Sequence, residues 1–170
     1  MKEDKYLKFE KIVAEALPGK GVYTLVIFLK KKLTIDVGKL GTFSFPSGYY
    51  LYTGSALGPS PNSLHRRIYR HLLKSKNRRW HIDYLTSNEN VLIKAVVAAE
   101  TSGKFECIIN QMLREKMNGE ILVDGFGASD CNQKCRSHLL YLGMKVDVEF
   151  NVISIYDKVF PQCTSALLFM

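Results

Sequence analysis

Residues 21–54 read GVYTLVIFLKKKLTIDVGKLGTFSFPSGYYLYTG, and this stretch decides the fold. Gly21–Leu29 is β-branched and apolar and reads as a buried strand. Lys30-Lys31-Lys32 falls in a hairpin turn at its end, and Leu33–Val37 alternates as the next strand. Gly38, Gly41, Pro46 and Gly48 punctuate the chain before Tyr49–Thr53, an aromatic-rich strand. Three strands joined by short connections predict antiparallel pairing, because parallel neighbours need a crossover of about a dozen residues or more. The expected fold class is therefore mixed α/β of the α+β kind, a small, mainly antiparallel three-stranded sheet flanked by helices.

Working outward, Leu7, Ile12, Val13, Ala16 and Leu17 predict a short helix over residues 5–17, stopped by Pro18-Gly19. Gly54–Pro61 is a Gly/Ser/Pro loop. Asn62 or Ser63 can cap a helix over 64–74, with Leu64, Ile68 and Leu72 on its apolar stripe. Trp80–Leu85 is ambiguous, Val91–Ala99 reads as a strand and Phe105–Met117 as a helix. Val123–Asp130 is glycine-rich, Cys135–Leu142 reads as a short helix ended by Gly143, and Val146–Ile155 has strand composition. No linker or repeat interrupts the 170 residues, which predicts one domain with a core over about 20–142, an N-terminal helix and a C-terminal extension.

Composition narrows the function classes. Hydrophobic residues at 46% and charged residues at 24% exclude general disorder. No apolar run approaches the ~20 residues of a membrane span, and none resembles a signal peptide, so the expected setting is cytoplasmic without a membrane partner. Four cysteines, Cys107, Cys131, Cys135 and Cys163, are too few and too uneven for a secreted disulfide scaffold. The net charge of +8 is gathered: residues 64–81 hold seven Lys and Arg and no acid. Arg66, Arg70, His71, Lys74, Arg78 and Arg79 are therefore candidate phosphate contacts, beside Trp80, with a solvated basic face as the competing reading.

Two glycine–tyrosine units frame the first half, Gly21-Val22-Tyr23 and Tyr52-Thr53-Gly54-Ser55. Together with Leu64-His65-Arg66-Arg67-Ile68 they resemble the GIY-YIG nuclease superfamily. The longer runs LYTGSALG, LHRRIYRHL, WHIDYL and GFGASDC…CRSHLLYL resemble its DUF123, or Uri-type endonuclease-like, branch. The resemblance spans about Gly21–Leu142. It implies a divalent-metal-dependent endonuclease acting on DNA, with Tyr23, Tyr52 and Arg67 as catalytic residues and Glu106 as the ligand of Mg²⁺ or Mn²⁺. Glu100 is the rival for the glutamate. Asn110 and Asn118 are candidates by spacing for the superfamily's asparagine, although the Ser129-Asp130 and Ser137-His138 region is the preferred place. His138 is assigned as a helper acid or base, with Asp130 and His81 as runners-up.

Each residue type suits phosphodiester hydrolysis. A carboxylate holds a hard cation, an arginine clamps phosphate oxygens, and a tyrosine with a depressed pKa can take a proton from water. The loop before the helix leaves backbone N–H groups free for a phosphate. Cys131-x3-Cys135-x2-His138 offers zinc-type ligands, but three only, with Cys163 or Cys107 needed as the fourth; zinc is not the expected cofactor. His81 and Asp83 share a side if Trp80–Leu85 is a strand. The alternatives are a non-catalytic nucleic-acid-binding module, and an adaptor using the apolar C-terminus Ala166–Met170, which fits a last core strand equally well. A monomer or weak homodimer is expected.

Overall fold

The computed structural model describes residues 2–60 and 62–169, with the backbone alone for residues 2–6. Pro61 and Met170, the ends of two predicted segments, lie outside the described residues. The element order is α1 (Lys2–Ala16), β1 (Gly21–Leu29), β2 (Leu33–Asp36), β3 (Thr42–Phe45), β4 (Gly48–Ala56), α2 (Leu64–Leu72), α3 (His81–Thr86), β5 (Val91–Ala99), α4 (Glu106–Met117), β6 (Leu139–Gly143), α5 (Val148–Val159) and β7 (Thr164–Leu168).

The fold is α+β, as expected, but the main sheet has five strands rather than three. Their order is β6-β4-β1-β5-β7, and every pairing is antiparallel. β1 is the central strand, which explains its unbroken apolar run: both faces are covered, so no polar alternation survives. Its neighbours are β4 and β5, not the next strand in sequence. β2 and β3 instead make a separate two-stranded sheet, Leu33 opposite Phe45. The C-terminal run forms β7, the edge strand beside β5.

The sheet separates two cores. On one face Tyr23, Leu25 and Ile27 pack with Ile68 of α2, Ile82 of α3 and Phe126. On the other, Val22, Val26 and Val97 meet Ile109 and Leu113 of α4 and Val152 and Tyr156 of α5. Buried hydroxyls in this second layer pair with one another: Thr24 Oγ1 lies 2.9 Å from Thr53 Oγ1 and 2.8 Å from the Tyr156 hydroxyl.

Three predicted elements change. Cys135–Leu142, expected as a helix, instead runs into strand β6: Leu139 faces the first core and Leu140 the second, so the apolar run is the two-sided strand pattern. Val146–Ile155, expected as a strand, is helix α5; Val148, Val152, Ile155 and Tyr156 recur at helical spacing on its buried side. α2 ends at Leu72, short of Lys74. The ambiguous Trp80–Leu85 stretch is helical. Among the described residues, no helix is long and apolar enough to cross a membrane.

Candidate active site

Tyr23 sits near the start of β1 and Tyr52 on β4, where the register sets Tyr23 opposite Gly54 and Leu25 opposite Tyr52. Both phenols therefore project on the α2 side of the sheet, into the core beneath that helix. α2 begins at Ser63, whose Oγ accepts the Arg66 N–H, and buries Leu64, Ile68 and His71. That orientation delivers His71 and Arg67 to the tyrosines. Nε2 of His71 is 2.8 Å from the Tyr23 hydroxyl. Arg67 donates from Nη1 to the Ser55 carbonyl at 2.6 Å, and its guanidinium lies 5.0 Å over the Trp80 ring.

These groups line a cleft of about 540 Å³ that also includes Arg79, His81, Lys104, Glu106, Asp130 and His138. Tyr23, Tyr52, Arg67 and Glu106 thus converge from β1, β4, α2 and the first turn of α4. Glu100 is exposed and lies outside the cleft lining. Among the described residues, Oε2 of Glu106 is buried without a hydrogen-bond partner. An unpartnered buried carboxylate oxygen on a cleft wall fits a hard cation.

Burial pushes the Tyr23 phenol well above its ordinary value, and Tyr52 adds to this, while the charge and hydrogen bond of Arg67 pull the other way. Burial likewise takes Tyr52 up to about 12 against the pull of Arg67. His71 is pushed down to about 3 by burial, with Lys76 adding to it, so it is a neutral partner for Tyr23. His138 is also shifted down by burial, opposed by Glu106 and Asp130.

The basic segment divides in two. Asp83, fully buried, accepts from Arg70 at 2.7 Å and from the N–H groups of Arg79 and Trp80 at 2.9 and 3.1 Å. Burial raises its pKa, but the Arg79 N–H, the Arg70 guanidinium and the Trp80 N–H outweigh this and hold the carboxyl below its ordinary value. Lys76 is drawn in beside it, bonding the Arg70 and His71 carbonyls and Thr86 Oγ1. Lys74 Nζ caps the Thr86, Asn88 and Val91 carbonyls at 3.0, 2.9 and 2.5 Å. Arg70 and Lys74 are therefore tied into the fold, and His71 is buried. Arg66, Arg78 and Arg79 are exposed, and of these Arg79 reaches the cleft. His81 and Asp83 do not act together: His81 Nδ1 accepts the Gly127 N–H at 3.0 Å. The two asparagines have fold roles, Asn110 donating to the Ser137 carbonyl at 2.8 Å and Asn118 closing α4 in the left-handed conformation.

The family model described as a domain of unknown function, DUF123, matches residues 22–160. The chain belongs to the DUF123 family. No curated protein and no solved structure matches it. The matched span takes in the cleft residues from Tyr23 to His138.

The zinc-type trio Cys131, Cys135 and His138, whose fourth member the sequence leaves open between Cys163 and Cys107, gains Cys107. Cys107, Cys131, Cys135 and His138 bring one ligand atom each within 4.8 Å of one another. Cys107 adjoins Glu106 in α4, and its thiol is 3.3 Å from Cys131 Sγ and 3.7 Å from His138 Nε2. Cys163 is exposed and outside the group. Burial, reinforced by the neighbouring thiols, lifts Cys107 far above the usual thiol value. Lys104 is a cleft residue that the sequence analysis does not name; its position just before α4, two residues from Glu106, was the available signal.

Proposed function

We propose that this domain hydrolyses phosphodiester bonds in nucleic acid, with DNA as the expected substrate, as a divalent-metal-dependent endonuclease of the GIY-YIG type. The observation that carries the reading is the convergence of Tyr23, Tyr52, Arg67 and Glu106 from four separate elements on one cleft. The same cleft opens onto cationic side chains at Arg79 and Lys104, which supports a phosphate-bearing substrate.

The residues divide the work as follows. Arg67, fixed by the Ser55 carbonyl and the Trp80 ring, presents its remaining N–H donors to phosphate oxygens and stabilises the charge that develops there. Tyr23 would take a proton from the attacking water only once its pKa is drawn back down: burial holds the phenol protonated against the pull of Arg67, and a cation held at Glu106 would add to that pull, while His71 positions the hydroxyl. Tyr52, edge-on to His71 and Phe126, orients the water or the phosphate. Glu106 holds the cation, Mg²⁺ or Mn²⁺, which supplies Lewis-acid charge when bound. Arg79 and Lys104 meet the flanking backbone. His138 has no role in this scheme, because its Nε2 faces the Cys107 thiol.

The test is a panel of single-stranded, nicked, branched and duplex DNA, and of RNA, incubated with Mg²⁺ or Mn²⁺. Cleavage by the wild-type chain, reduced at least about 100-fold in Arg67→Ala and Glu106→Gln variants of native stability, supports the proposal. Salt-dependent binding with no cleavage of any substrate, or cleavage indifferent to both substitutions, rejects it.

A further inference from the structure

We propose that Cys107, Cys131, Cys135 and His138 bind a single Zn²⁺ ion in a closed tetrahedral site that fastens α4 to the loop before β6. This is independent of the nuclease reading, because it concerns a second set of ligands and a different metal.

The argument begins with ligand type. Three thiols and one imidazole are the soft and borderline donors zinc prefers, and hard cations such as Mg²⁺ do not choose them. The next point is distance. Zn–S bonds of about 2.3 Å and Zn–N bonds of about 2.0–2.1 Å place tetrahedral ligand atoms roughly 3.5–3.8 Å apart. The separations of 3.3 Å between Cys107 and Cys131 and 3.7 Å between Cys107 and His138 lie within about 0.5 Å of that spacing. All four ligand atoms fall within 4.8 Å, a cage for one ion and too tight for ligands carried on different irons of an iron–sulfur cluster.

The topology gives the site a purpose. Residues 118–138 join α4 to β6 with neither helix nor strand, a long connection for a compact fold. The four ligands come from the start of α4, from this loop and from its junction with β6. The His138 backbone is already fixed there, its N–H donating to Phe126 O at 2.8 Å and its carbonyl accepting from Thr53 N at 3.1 Å. Cys107 and His138 are both buried. With four protein ligands no coordination position is left for water or substrate, which marks a structural site rather than a catalytic one. Binding displaces the three thiol protons to solvent, and the ion then sets the start of α4, and with it Glu106, against the cleft.

The full chain, expressed with zinc in the medium and purified without chelator, tests this by elemental analysis and X-ray absorption at the zinc edge. One zinc per chain with a sulfur-rich shell of three S and one N is the expected result. Cys107→Ser and Cys131→Ser should lose stoichiometric zinc, and Cys163→Ser should keep it. Should the ligand variants fail to fold, titration of the Cys163→Ser chain with a mercurial, read by a chromophoric zinc chelator, should release the ion as three thiols react. Metal-free protein with reactive thiols, a Cys107–Cys131 disulfide, or iron in place of zinc each overturns the proposal. None of these readouts requires cleavage activity, so failure here is distinct from failure of the nuclease reading.

Discussion

Tyr23 and Gly54 are partners across the β1–β4 ladder, and the phenol of one lies over the bare backbone of the other. A Cβ at position 54 would stand 2.7 Å from the Tyr23 hydroxyl oxygen and 2.9 Å from its ring carbon Cζ. The two glycine–tyrosine units in the sequence are thus one device: the glycine of the second makes room for the tyrosine of the first. Gly127 does the same for Tyr52, with a Cβ there falling 2.7 Å from the ring. Both tyrosines reach the cleft because a neighbouring residue lacks a side chain.

Gly54→Ala should therefore push Tyr23 off His71. Overpacking at a buried contact costs about 1–3 kcal/mol, and urea unfolding should read a loss of that size. On the proposed nuclease reading the same variant should also lose at least about tenfold in cleavage, since displacement of a catalytic group by ~1 Å can cost 10²-fold. Wild-type stability together with wild-type cleavage would show that Tyr23 tolerates the methyl group without moving.

Asp83 makes the basic segment foldable. It is fully buried among Arg70, Lys76 and two backbone N–H groups. Asp83→Ala should destabilise the chain by about 3–5 kcal/mol, because it leaves buried cations without their counter-charge. Arg66→Ala and Arg78→Ala, at exposed positions, should stay within about 0.5 kcal/mol of wild type. A loss below about 1 kcal/mol in Asp83→Ala, measured in the same urea series, would mean the carboxylate is dispensable.

The same residue shows where the sequence reading stopped. Seven cations without an acid between residues 64 and 81 looked like a phosphate-binding face, but the acid lies at position 83, just past the window, and it withdraws Arg70 and Lys76 from the surface. Tyr23, Tyr52 and Arg67 were reached through the resemblance of their motifs to the GIY-YIG superfamily, because a tyrosine beside a glycine or an arginine on a basic helix singles out no site by pattern alone. The choice of Cys107 over Cys163 as the partner of Cys131, Cys135 and His138 was not legible, since Cys107 belongs to a helix 24 residues before Cys131 and only the return of the chain along β6 unites them. α5 was misread because β-branched composition outweighed the spacing of Val148, Val152, Ile155 and Tyr156. The five-stranded sheet was missed because β6 and β7 come from segments with no turn signal tying them to the first hairpin-like stretch.

His71 predicts a pH dependence. Its pKa is pushed from an ordinary 6.5 down to about 3, mainly by burial. Between those values the unfolded chain binds a proton that the folded chain refuses. Stability from this group is therefore complete above the unfolded pKa and falls as pH drops, by about 1.4 kcal/mol per pH unit. His71→Gln should flatten the slope of unfolding free energy against pH by about that amount across the acid limb, while the contribution of Asp83 remains common to both proteins. Parallel slopes for the two proteins in urea unfolding at successive pH values would refute it.

On the proposed nucleic-acid reading, the division of the basic residues predicts how binding responds to salt. Arg79 and Lys104 line the cleft from exposed positions, whereas Lys74 is committed to three backbone carbonyls. A cation that neutralises one phosphate contributes about 0.7–0.9 to the slope of log K against log salt. Arg79→Ala and Lys104→Ala should each reduce the measured slope by about 1 and weaken binding across all sequences, with no change in unfolding free energy beyond about 0.5 kcal/mol. Lys74→Ala should do the reverse, lowering stability and leaving the slope intact. Fluorescence anisotropy with a labelled oligonucleotide over a salt series decides between them: if Lys74→Ala changes the slope and Arg79→Ala does not, the phosphate path runs along the outer end of α2 and not through the cleft.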